Sequence, residues 1–91
     1  MWDPVNRYHV VFSEKARSEF MELRRSSACI LVSWIGEYLE GCKNPRARGR
    51  SLTGEVSRWR YHVGKYRLLA EIEKDRIVIL SVCYDLERSG K

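Results

Sequence analysis

Hydrophobic and polar residues alternate most regularly between Arg58 and Ile72. Trp59, Tyr61 and Val63 interleave with Arg58, Arg60 and His62, the period-two pattern of a half-buried strand. Beyond Gly64 and Lys65 the alternation resumes. Tyr66, Leu68, Ala70 and Ile72 fall on one side, and Arg67, Leu69, Glu71 and Glu73 on the other. Glycine first in a two-residue connection suits a type II′ hairpin turn, because it accepts the positive φ required there. That turn predicts a register: Val63 opposite Tyr66, His62 opposite Arg67, Arg60 opposite Leu69 and Arg58 opposite Glu71. The pairs 63/66, 61/68 and 59/70 then make an apolar face, and Arg60, His62 and Arg67 gather on the reverse.

The pattern before the hairpin is helical. Tyr8-His-Val-Val-Phe12 is β-branched and aromatic, predicting a first strand. Ser13 followed by Glu14 is an N-cap and an acidic first turn, and Ala16, Phe20 and Leu23 supply an apolar stripe. Arg24 and Arg25 suit the C-terminal end of that helix, with Ser26 and Ser27 as the break. A second helix is predicted from about Ser27 to Glu40, with Ala28, Leu31, Ile35 and Tyr38 as its stripe, widened by Trp34 and Leu39. These aromatics read as packing under a sheet, and Gly41 as the helix stop. Residues 42–57 form a polar connection in which Arg46, Arg48 and Arg50 alternate. Ile77 to Val82 is apolar on both faces, as a covered strand should be.

The fold class expected is α+β in the order βααβββ: a two-helix hairpin packed on one face of a mainly antiparallel four-stranded sheet. The whole chain, residues 1–91, reads as a single domain, with residues 1–7 a loose leader and 83–91 a tail. The uncovered sheet face would carry Arg60, His62 and Arg67. A solvated strand face is the ordinary reading of such a row. Arg67 and His62 gain no charge partner from their registered neighbours, however, which favours an anion site.

Composition narrows the function classes. Lys and Arg outnumber Asp and Glu by 17 to 12, giving a net charge of +5, a balance that fits a polyanionic or acidic partner without establishing one. Cys29, Cys42 and Cys83 are widely spaced without a CxxC pair, and His9 and His62 are the only histidines, so no metal site and no cofactor are expected. Reduced thiols, the absence of a signal-like segment after Met1 and of any long apolar run predict a cytoplasmic protein without membrane contact. His9 is expected to be structural or edge-exposed.

The run from Trp59 to Leu69, preceded by Asn44-Pro-Arg-Ala-Arg-Gly-Arg-Ser-Leu-Thr-Gly54, resembles the RelE branch of the RelE/ParE toxin superfamily. The resemblance extends from about Tyr8 to Val82. These are toxins of bacterial type II toxin–antitoxin systems, and the likeness implies the same βααβββ fold. It also implies a ribosome-dependent messenger-RNA endonuclease, in which a 2′-hydroxyl attacks the adjacent phosphate without a metal. Arg67 matches the family Arg that binds the scissile phosphate. Arg60 and His62 stand where relatives carry groups that stabilise charge or move protons. An imidazole titrates near 6.5 when unperturbed, so a base at that position is chemically usable. Arg50, with Arg46 and Arg48, matches the basic loop that grips RNA. Arg58 and Lys65 on the hairpin and Arg88 in the tail complete the expected RNA contacts.

One segment departs from the family. Relatives end the last strand with Gly-His-Arg and a nearby Tyr. Here the equivalent is Cys83-Tyr84-Asp85-Leu86-Glu87-Arg88, leaving Tyr84 as the candidate C-terminal contributor. The departure supports an alternative: a catalytically impaired or ParE-like homologue that acts by binding an antitoxin or DNA gyrase. The partners implied are a cognate antitoxin, in a toxin–antitoxin heterotetramer, and the ribosome with its messenger RNA.

Overall fold

Ser13 turns the chain from strand into helix. Its backbone is extended, its Oγ accepts from the Ala16 amide at 3.0 Å, and its own hydroxyl donates to the Leu80 carbonyl at 3.2 Å. The computed structural model describes residues 7–52 and 55–84. In it the first strand, β1 (His9–Phe12), passes through Ser13 into α1 (Glu14–Met21). Glu14 in the first turn complements the helix dipole, and Ala16 is fully buried.

The second helix, α2, runs Arg25–Tyr38. Arg24 and Arg25, expected to close the first helix, instead open the second, with Arg24 as an extended N-cap lacking a side-chain cap bond. Ser26 and Ser27 do not break it. They occupy the first turn, where amides have no intrahelical acceptor and a short polar side chain does little harm. Gly41 adopts φ +78° beyond the helix end, and its amide donates to the Tyr8 carbonyl at 2.7 Å. Tyr8 in turn donates to Cys42 at 2.9 Å, so the end of α2 is clipped to the start of β1.

Three further strands follow the expected order: β3 (Glu55–Val63), β4 (Tyr66–Ile72) and β5 (Arg76–Tyr84). The hairpin register is the one read from alternation, from Arg58↔Glu71 through Val63↔Tyr66, and Gly64 takes φ +61° in the turn. Two features correct the sequence reading, the strand count and the tail, and one parallel pairing completes the mainly antiparallel sheet it predicts. The sheet has five strands in the order β1-β5-β4-β3-β2, because the polar connection contributes β2 (Arg50–Leu52) alongside β3. A 3₁₀ turn, Pro45–Ala47, precedes it. The sheet is mixed, since β1 pairs parallel with β5, two strands far apart in the chain; the strand that follows the two helices, β2, runs antiparallel to β1. Finally, Cys83 and Tyr84 are part of β5 rather than of a tail. The remaining leader and tail residues, 1–6 and 85–91, including Arg88, lie outside the described residues.

Both helices cover one face. Ala16 of α1 and Leu31, Ile35 and Leu39 of α2 join Tyr61, Leu68, Ile77 and Ile79 of the sheet in one buried cluster. Fully burying one such aliphatic side chain is worth roughly 1.5–3 kcal/mol, against about 0–1 kcal/mol for exposed ion pairs such as Arg76–Glu73. Core packing therefore holds the helices to the sheet, and among the described residues no helix covers the other face near Arg60, His62 and Arg67. Among the described residues no helix is long and apolar enough to cross a membrane.

Candidate active site

The strands that lie side by side in the middle of the sheet bring the cations together. Arg50 faces Arg60, Arg60 faces Leu69, and Leu69 faces Ser81, forming one row across four strands. Two residues along, His62 faces Arg67, which faces Cys83. The two rows stand about 7 Å apart on the same uncovered face. The structure thus unites Arg60, His62 and Arg67 and adds Arg50.

Arg60 and Arg67 are half-buried, and the Nε of each is shielded from solvent with no hydrogen-bond partner among the described residues. Leaving a buried polar group unsatisfied costs roughly 1–3 kcal/mol, more when it is charged. Such groups are few in native proteins, and a catalytic role or a bound ion is among the reasons they persist. A guanidinium offers donors only, so the complement is an oxyanion.

The other predicted contacts are distributed differently. Arg58 stands 3.6 Å from Glu71, a partly exposed ion pair that offsets its charge. Lys65 is exposed on the hairpin turn. Arg46 lies 5.6 Å from the Trp59 ring centroid, and Arg48 4.1 Å from that of Tyr38. Alternation puts Trp59, and Arg46 with it, on the side opposite Arg60; Arg48 rests on Tyr38 of α2 at the border of the cationic face, sharing a cleft with Arg50 and His62, and Arg50 alone of the loop is paired into the rows. The loop is pinned where it crosses β3. The Trp59 indole donates to the Arg48 carbonyl at 2.6 Å, and the Tyr61 hydroxyl to the Pro45 carbonyl at 2.7 Å. Burial pushes the Tyr61 phenol well above its ordinary value, keeping it a donor.

Tyr84 is directly opposite Tyr66, with ring centroids 5.5 Å apart, and Tyr66 bonds Ser27 of α2 at 3.2 Å. That is the helix-covered side, so the structure does not bring Tyr84 to the cations. His9 sits on the edge strand, 3.0 Å from Glu40 and largely exposed. Among the described residues no cluster of three or more His, Cys, Asp or Glu side chains could hold a metal.

Sequence reasoning missed Ser81 and Cys83 on the cationic face. A bulge places them there: Leu69 pairs with Ser81 but Ala70 with Ile79, so Leu80 is an extra residue. An uninterrupted apolar strand carries no mark of where such a residue falls.

The model of the ParE toxin of type II toxin–antitoxin systems, parDE, matches residues 10–85. No curated protein matches the chain. Among solved structures, the fold is similar to one in the RelBE2 toxin–antitoxin complex of Mycobacterium tuberculosis. The TM-score is 0.73 at 27% identity, covering 86% of this chain and 91% of that one. The isolated Escherichia coli RelE toxin gives 0.69 at 23% identity, covering 85% of this chain and 83% of that one. The archaeal RelE–RelB complex of Pyrococcus horikoshii gives 0.67 at 19%, covering 87% and 96%. With the fold shared and the family match spanning nearly all the described residues, the chain belongs to the RelE/ParE superfamily as a toxin of a type II toxin–antitoxin system.

Proposed function

We propose that this toxin is a ribosome-dependent messenger-RNA endonuclease whose cutting surface is the face carrying Arg60, His62 and Arg67. The observation that carries the reading is the pair of shielded, unpartnered Nε atoms on Arg60 and Arg67, flanking an imidazole on a rigid sheet. A phosphodiester supplies the acceptors these donors lack. In the proposed reaction the substrate's 2′-oxygen bonds to the adjacent phosphorus as the bond to the 5′-oxygen breaks. His62 takes the 2′ proton, the leaving 5′-oxygen takes one from water, and a 2′,3′-cyclic phosphate remains. Arg67 holds the scissile phosphate and Arg60 the charge that builds on it. Arginine does not give up a proton under these conditions, so both roles are electrostatic. Arg50 steadies the neighbouring backbone.

The partner that silences the toxin is a cognate antitoxin, in a toxin–antitoxin heterotetramer. The Mycobacterium tuberculosis and Pyrococcus horikoshii relatives were captured with theirs. The site of action is the cytoplasmic ribosome. A second reading, binding to DNA gyrase or to antitoxin without RNA chemistry, draws on the ParE family match and on the lack of a His-Arg pair in the stretch from Cys83 to Arg88.

Primer extension on translated messenger RNA separates the two. The nuclease reading expects site-specific cuts that require ribosomes and vanish with Arg67→Ala. Messenger that is translated uncut, while gyrase supercoiling stops, would replace it with the second reading.

A further inference from the structure

Two helices cover the sheet, and their outer faces differ. On α1 the solvent side carries Glu14, Lys15 and Arg17, the charged face expected of a surface helix. On α2, residues 26–36 hold no charge at all. Leu31 and Ile35 are buried inward, yet Cys29, Ser33 and Gly36 are exposed, Ile30 is 61% exposed and Val32 53%. An uncharged helix face that holds large aliphatic residues in water marks an interaction surface. We infer that this face is the interface of a homodimer, in which a second copy of the chain lays its own α2 antiparallel across it, whether or not the toxin cuts RNA.

The charges at the two ends of α2 select that occupant. Arg24 and Arg25 stand at its N-terminus and Glu37 in its last turn, with no acid in the first turn and no base in the last. This is the wrong way round for the dipole of the helix itself, whose positive end is N-terminal. Neither Arg25 nor Glu37 has an ion-pair partner among the described residues. An antiparallel copy supplies both. A twofold axis near Leu31, midway between Arg25 and Glu37, brings the Arg25 end of each copy level with the Glu37 end of the other.

The surface between those ends suits a close helix. Cys29 and Ser33, one turn apart, border a cleft on either side. One, of about 280 Å³, runs along Arg25, Ala28 and Val32. The other, of about 420 Å³, runs along Ile30, Trp34 and Glu37. Helices pack by seating the ridges of one in such grooves of the other. Gly36 lies on the same face, and a Cβ added there would meet nothing within 4 Å. No contact within the described chain therefore calls for glycine at a helical position that it weakens, and close approach of a second helix does. Since α2 packs on the side of the sheet away from Arg60, His62 and Arg67, the dimer leaves both cationic faces outward.

Sedimentation velocity on the whole toxin tests this. A single helix pair is a small interface, so a monomer–dimer equilibrium with Kd on the order of 10 μM is expected. Arg25→Glu and Glu37→Arg should each weaken it by roughly tenfold, because the twofold axis makes both charge pairs repulsive. Both reversals suit the helix dipole, so neither should lower the Tm of the monomer. Mixed in equal amounts, the two variants should regain the dimer as a heterodimer, and Gly36→Leu should remove it. A wild type that stays monomeric up to about 1 mM, a hundred times that Kd, would overturn the proposal and leave the face to the antitoxin. A dimer that survives Gly36→Leu, or a mixture no more associated than either variant alone, would overturn it too by placing the contact elsewhere.

Discussion

The Val82 amide donates to Glu19 Oε1 at 2.9 Å, joining α1 to the strand that borders the cationic face. β1 has ended at Phe12, opposite Ile79, before β5 reaches this point, and Val82 itself stays paired with Leu68 of β4. The bulge at Leu80, two residues earlier, decides which side chains meet the cations. Regular pairing continued from Ala70↔Ile79 would set Arg67 opposite Val82; with the extra residue it meets Cys83. Glu19→Ala should therefore cost roughly 1–3 kcal/mol by leaving the partly buried amide without its acceptor. Denaturant unfolding measures that loss, and hydrogen exchange at Val82 locates it. Unchanged protection at Val82 would show that Glu19 does not hold that amide.

Arg60 and Arg67 should make the unliganded protein less stable than it could be. Arg67→Met keeps the aliphatic stem and removes the charge and its unpaired donors, so stability should rise by about 1 kcal/mol while activity disappears. In a domain of this size that is a shift of roughly 4–8 °C in Tm. Added phosphate should raise the wild-type Tm with concentration, by linkage, and leave the Arg60→Met/Arg67→Met double variant unmoved. A double variant that responds as wild type does would place the anion elsewhere.

How far the sequence could be read follows from which interactions are local. The hairpin from Arg58 to Ile72 announced its register because one face is apolar, one face is cationic, and a glycine fixes the turn. Ser13 announced α1 through its own side chain. By contrast, β2 is three residues of arginine, serine and leucine, a strand only because β3 offers it a partner. The parallel pairing of β1 with β5 joins residues more than sixty positions apart and has no local signature. Trp34 and Tyr38 fit a core stripe by spacing, and spacing does not reveal that both are only partly buried and that Trp34 borders a cleft with Arg48, Arg50 and His62. Arg46, Arg48 and Arg50 look equivalent in sequence. The pinned loop sends two of them onto aromatic rings and one onto the cationic face.

Gly49 is the residue on which that loop geometry depends. It adopts φ +79°, and a Cβ there would meet the Arg60 carbonyl oxygen, with Trp59 Nε1 and Tyr61 Cδ1 each at 2.9 Å. Gly49→Ala should cost roughly 1–3 kcal/mol from backbone conformation alone, before any displacement of β2. The Trp59 indole N–H should lose its exchange protection as the Arg48 carbonyl moves away, while the β3–β4 amides keep theirs. Arg50 then leaves its place opposite Arg60, and RNA binding should lose part of its steep salt dependence. A variant with wild-type Tm and salt slope would show that the close approach does not position the loop.

The edge at β1 carries a pH-dependent clip. Glu40 accepts from the Val10 amide at 2.8 Å through one oxygen and meets His9 Nδ1 at 3.0 Å through the other. The Val10 amide first, and then His9, hold its carboxyl below the ordinary value of 4.5. A carboxylate with a lowered folded-state pKa stabilises the fold fully above its unfolded value, and that contribution fades as pH falls through the folded one. Glu40 is about half exposed, at 47% of its side-chain surface, so solvent screening keeps the effect small. The urea midpoint of the wild type should fall more steeply between about pH 5 and about pH 3 than that of Glu40→Gln, which keeps an acceptor for Val10 but has no proton to gain. The two curves should converge at the acid end, where Glu40 is protonated in both folded and unfolded chains. Parallel curves across that window would assign the acid sensitivity to other carboxylates and leave the edge contact a neutral hydrogen bond.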